Sequence, residues 1–179
     1  MTQLTHQMYV ESMTKLKPDL DLPPHINGAA TYGDESYTVK VDASLSAARY
    51  EIERLVVERN VGADAIDAVI LRTVRVQEVM GSIMRGTKFM LSDGKHYELP
   101  YPVKITQEDG RIMVRPMLEL PQDRDEVEAE RILHAARIYV IARAYGQREL
   151  KLVSEVLLVS QSTATRLVQR ARERGLIDE

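Results

Sequence analysis

The chain has 179 residues, 44% of them hydrophobic, a net charge of −3 at pH 7 and no cysteine. That length and apolar content suit one generous domain or two small ones with a packed core, and speak against a disordered or fibrous class. Without cysteine there is no disulfide, thiolate nucleophile or cysteine-ligated zinc, and the mild acidity argues against a protein that coats nucleic acid by charge alone.

No apolar run is long enough to span a bilayer, and residues 1–16 show no unbroken apolar centre with a small-residue cleavage site. A soluble, cytoplasmic protein with no membrane partner is therefore expected. In chain order, residues 2–16 predict an amphipathic helix with Leu4, Met8, Met13 and Leu16 on one side. Residues 17–35, with Pro18, Pro23, Pro24 and the Asn27-Gly28 pair, predict a loop or linker. Tyr37, Val39 and Val41 alternate with polar residues and predict a short strand over 36–41. Asp42 or Ser44 is then placed to cap a helix running to about Asn60.

From Asp64 to about Arg85, Ile66, Val69, Ile70, Thr73, Val76, Met80 and Ile83 recur at threes and fours. This predicts a helix of about six turns interrupted only at Gly81, either the spine of an N-terminal body or a dimer interface. Over residues 86–120 the period changes to two. Strands are expected at 88–91, 97–99, 103–106 and 112–117, turning at Asp93-Gly94 and Asp109-Gly110 and limited by Pro100, Pro102 and Pro116. Lys95, His96, Tyr97 and Tyr101 are candidates to line a pocket, although a Tyr-rich hairpin is more often plain structure. Residues 121–146 predict a second long helix: Asp123 and Glu126 form a capping pair, the acidic cluster through Glu130 suits the positive end of the dipole, and Gly146 is its stop.

The last stretch, LVSEVLLVSQSTATRLVQRARERG over 152–175, reads as two short helices joined by a tight turn. Val153, Ser154, Leu157, Val159, Ala164 and Leu167 fall where a second helix must press across a first, and the remaining positions of that second helix are polar. The segment 153–170 resembles the helix-turn-helix of bacterial and phage transcription regulators, and the tail RARERGLI resembles the close of the recognition helix in several of those families. In that motif the turn residue before the branched apolar position is usually glycine. Leu158 stands there, so the turn requires either a leucine at positive φ or a different geometry.

The resemblance implies that Ser160, Gln161, Ser162, Thr165, Arg166 and Gln169 meet bases and phosphates of double-stranded DNA, with Arg170, Arg172 and Arg174 adding backbone charge. Ser160 would also cap the second helix. Over residues 146–179 six basic residues face five acidic ones, about +1, so one copy would bind weakly and a homodimer is expected.

The fold class expected is α+β and mainly helical, with an N-terminal body (1–120) carrying a small antiparallel sheet and a C-terminal tri-helical helix-turn-helix (121–179). The role expected is a sequence-specific transcriptional regulator; the alternative is a protein-docking adaptor built on the same unit. An enzyme is not expected. His6, His25, His96 and His134 are scattered, residues 81–86 lack the Lys-Ser/Thr of a phosphate loop, and no serine sits in a G-x-S-x-G turn. No catalytic residue, metal or cofactor is assigned.

Overall fold

A computed structural model describes residues 13–32, 36–106, 112–115, 118 and 123–178. Nine strands and five helices occur among them. Strands β1 (Thr14–Leu16), β2 (Leu20–Leu22), β6 (Phe89–Leu91) and β7 (His96–Tyr97) form an antiparallel sheet in the order β1-β2-β6-β7. A second sheet is the meander of β3 (His25–Tyr32), β4 (Tyr37–Ser46) and β5 (Arg49–Arg59). The pair β8 (Val103–Thr106) and β9 (Ile112–Arg115) stands apart. The helices are α1 (Ala68–Thr73), α2 (Val76–Gly86), α3 (Arg124–Ala144), α4 (Glu149–Val156) and α5 (Gln161–Glu173). The α+β class is as expected, but the N-terminal body is built more from strands than the periodicity suggested.

Residues 17–35 are a correction. Instead of a linker they carry β2, whose Leu20, Asp21 and Leu22 are all buried, and the whole of β3. Gly28 is not a turn glycine. A Cβ there would lie 2.7 Å from Ile83 Cγ1, so the missing side chain lets α2 rest directly on β3. The expected N-terminal helix falls mostly outside the described residues, and its last positions are β1.

The helix expected over 42–60 is also overturned. Strand β4 runs on to Ser46, the chain reverses at Ala47 and Ala48 with φ of 46° and 64°, and β5 returns along it. Two successive positive φ values suit the right-handed twist of a hairpin, here without the glycine or asparagine that would have announced it. Opposite Asp42 and Ala43 the register slips: Arg54 pairs with Asp42 and Ile52 with Ala43, leaving Glu53 as a bulge. The bulge puts Tyr50, Ile52, Leu55 and Val57 on one face at spacings of two, three and two, which blurs the alternation expected of a strand.

The six-turn helix over 64–85 is two helices. Val74 and Arg75 are extended, with ψ of 111° and 98°, so α1 ends at Thr73 and α2 begins at Val76. Asp67 caps α1 by accepting from the amides of Val69 and Ile70, both at 2.9 Å. Gly81 does not break α2. It lies buried where a Cβ would come within 3.1 Å of Gln147 Oε1, and Gln147 Nε2 donates to the Gln77 carbonyl at 2.8 Å, joining α2 to the start of α4.

Helix α3 is the common element of the molecule. Asp123 caps it by accepting from the amides of Asp125 and Glu126. Ile132, Ala135, Ala136, Ile138, Ile141, Ala142 and Ala144 are fully buried. Tyr145, at its end, meets the ring of Tyr50 edge-on at 4.8 Å and that of Phe89 at 6.0 Å, so one continuous core joins both larger sheets to the C-terminal helices. The expected division at 120/121 lies at residues outside those described.

A polar cluster ties the β1–β2 turn to α3. Arg137 makes a two-pronged pair with Asp19 at 2.9 and 2.5 Å and lies over the Tyr97 ring at 5.2 Å. Tyr97 Oη and His134 Nδ1 are 3.2 Å apart. Burial, helped by the charge of Arg137, lowers the His134 pKa to about 4, and burial pushes the Tyr97 hydroxyl up. Burial acts against the charged form of Arg137, but hydrogen bonds and charge from Asp19 outweigh it and raise the pKa.

Candidate nucleic-acid interface

The C-terminal three helices place one polar surface on an apolar base. In α5, Ala164, Leu167, Val168 and Ala171 recur at threes and fours and are buried; Leu152, Val153 and Val156 of α4 are buried likewise. Ser154 is half-buried, and its Oγ donates to the Val159 carbonyl at 2.7 Å, tying α4 to the far side of the turn. Leu158 takes the positive φ, 52°, while its side chain stays 45% exposed. The turn thus has the tight geometry in which glycine is usual, at a backbone cost of roughly 1–2 kcal/mol.

Ser160 is the N-cap of α5, accepting from the Thr163 amide at 3.2 Å. Gln161, Ser162, Thr165, Arg166 and Gln169 are all exposed on α5. Thr165 Oγ1 donates back to the Gln161 carbonyl at 2.9 Å, and Gln169 Nε2 reaches Glu173 at 3.2 Å. Among the described residues Arg166 has only a long contact, 3.4 Å, to Thr163 Oγ1, so its guanidinium is largely uncommitted there.

Two arginines farther along turn back toward α3. Arg170 pairs with Glu128, and Arg172 donates to Tyr139 Oη at 3.0 Å while lying over its ring at 5.4 Å. The helix dipole accounts for the acids at the start of α3, but Glu128 has this second partner 42 residues away in sequence, which no local pattern reveals.

A second cationic feature escaped the sequence. Arg75, the N-cap of α2, and Arg85 within it, with Arg148 and Lys151 beside them, line a cleft of about 460 Å³ between α2 and α4. Glu78 and Glu155 lie within 2.9 and 3.5 Å of Arg75 and Lys151, which tempers its charge. By contrast, the Lys95, His96, Tyr97 and Tyr101 pocket does not assemble. Lys95 pairs with Asp93 at 2.8 Å, His96 is exposed, and Tyr97 is buried against His134. Among the described residues no group of three or more His, Asp or Glu could hold a metal ion, and no helix is long and apolar enough to cross a membrane.

Compared with protein-family models, curated proteins and solved structures, the chain gives no match.

Proposed function

We propose that the chain is a sequence-specific DNA-binding transcriptional regulator that reads the major groove with the exposed face of α5. One observation carries the reading: a capped helix with a buried apolar stripe presents Gln161, Ser162, Thr165, Arg166 and Gln169 outward together, on a three-helix base held by α3. Amide, hydroxyl and guanidinium groups on one helical face suit base edges. Gln161 matches an adenine edge and Arg166 a guanine or a phosphate. The cap leaves the first amides of α5 and its positive end facing outward, where a phosphate is favoured. In this reading the protein acts in the cytoplasm and carries out no catalytic step.

A protein-docking unit is the second reading. In its favour, Arg170 and Arg172 are engaged by Glu128 and Tyr139, which lowers the charge free to meet a phosphate backbone. Selection of bound fragments from random and genomic DNA separates the two. A DNA reader enriches one motif and loses affinity steeply as salt rises from about 50 to 200 mM, because displaced counterions leave that signature. Failure to enrich any motif, with residual binding gone at physiological salt, sinks the DNA reading.

A further inference from the structure

The long helix is broken at Val74 and Arg75, so the single six-turn face it offered a partner is divided between α1 and α2. Among the described residues seven large apolar side chains are exposed; Ile52, Leu55, Val61, Val69, Leu71 and Val76 lie between positions 52 and 76, and only Leu158 lies outside. Ile52 and Leu55 belong to β5, an 11-residue edge strand whose outer side has no partner strand among the described residues. They share a face with Val39, Val41 and Ala43 of β4, which are at most 2% exposed, whereas Ile52 and Leu55 are each 39% exposed. The apolar face of the sheet therefore stops short at its free edge.

The charges along that edge suggest what completes it. A twofold axis perpendicular to a sheet keeps every side chain on its own face, so residues opposed across it must share a face. In a regular strand this forbids pairing an odd position with an even one. The extra residue at Glu53 permits it between the two halves of β5.

We propose that two copies of the chain join antiparallel through β5, in the register that sets Glu53 against Arg54 of the second copy. This register opposes Ile52 with Leu55 and Tyr50 with Val57 on the apolar face, and Arg49 with Glu58 on the other, each contact occurring twice. Opposite charges meet and no like charges face each other directly. Arg54 and Glu58 already hold Asp42 at 2.8 Å and Lys40 at 2.6 Å, but their side chains are 69% and 47% exposed and can accept a second partner. This pairing does not depend on DNA binding and is tested without DNA.

The test is the mass of the full chain by sedimentation equilibrium over a micromolar concentration series. The expected result is a reversible dimer. Arg54→Glu should weaken it by about tenfold or more, since symmetry creates two Glu-Glu contacts, and Glu53→Arg with Arg54→Glu should restore it. That restoration separates the second-copy contact from the Arg54–Asp42 pair, which the double change leaves broken. If circular dichroism shows Arg54→Glu unfolded, Glu58→Arg opposes Arg49 in the same way, with Arg49→Glu as its rescue. A monomeric native chain, or a dimer indifferent to these reversals, overturns the proposal; the bulge and charges then keep the edge unpaired.

Discussion

Strand β5 and helix α5 are of similar length, 11 and 13 residues, and both mix arginine and glutamate with scattered apolar residues, yet one is extended and the other helical. In α5 the apolar residues Ala164, Leu167, Val168 and Ala171 fall only on a helical stripe, and Ser160 supplies a start. In β5, Tyr50, Ile52, Leu55 and Val57 follow a period of two with one residue inserted. The insertion is what makes the strand imitate a helix. Where a bulge resets the phase, the better guide is residue type: Ile52, Val56 and Val57 are β-branched, and α5 opens on residues suited to a cap.

The sharpest test of this contrast is whether the two regions are stable independently, since β5 meets Tyr145 and α5 packs on α3, the helix that ends there. Tyr145→Ala removes a ring packed between Tyr50 and Phe89 and should cost about 3–5 kcal/mol. Urea unfolding followed by far-ultraviolet dichroism and tyrosine fluorescence should shift as one transition. Separate transitions, with the sheet signal unmoved, would show that the regions fold apart.

Next in size is a pH effect at the junction. His134, beside Tyr97, Arg137 and Glu130, titrates near 4 in the folded chain and near its ordinary value of 6.5 when unfolded. Below about 6.5 the unfolded chain takes up the proton first, so stability present at neutral pH falls as pH drops toward 4, by up to about 3 kcal/mol. His134→Gln should flatten that part of the profile in denaturant titrations between pH 7 and 4.5. An unchanged slope would remove His134 from the account.

The smallest effect is expected at the turn. Leu158→Gly relieves the positive φ of a half-exposed side chain, partly offset by glycine's greater freedom when unfolded, for a net gain of about 0.5 kcal/mol. Thermal melting would detect a loss instead, which would mean that the leucine side chain holds the turn.

Legibility in the sequence followed the range of the forces involved. The spacing within 152–175 is local, and the helices, turn and cap all follow from neighbouring residues. Strand β6, the Asp93-Gly94 turn with Gly94 at φ 82° and the Asp123 cap are local too, and lie as expected. What escaped depends on distant partners. Gly28 makes sense only beneath Ile83, the β2 run only beneath a second layer, and the Arg170–Glu128 pair only once α5 lies on α3. The Ala47-Ala48 turn escaped for another reason: nothing in alanine announces a left-handed backbone.

In the proposed reading the exposed face of α5 meets DNA, and among the described residues Arg166 is the least committed cation of that helix. The direct measurement is the affinity of native and Arg166→Ala chains for a selected site and for a scrambled duplex, at two salt concentrations. Arg166→Ala should lose about 1–3 kcal/mol at the selected site, with little change on the scrambled duplex and an unaltered fold by circular dichroism. A folded Arg166→Ala chain that binds its site as tightly as the native one would contradict it.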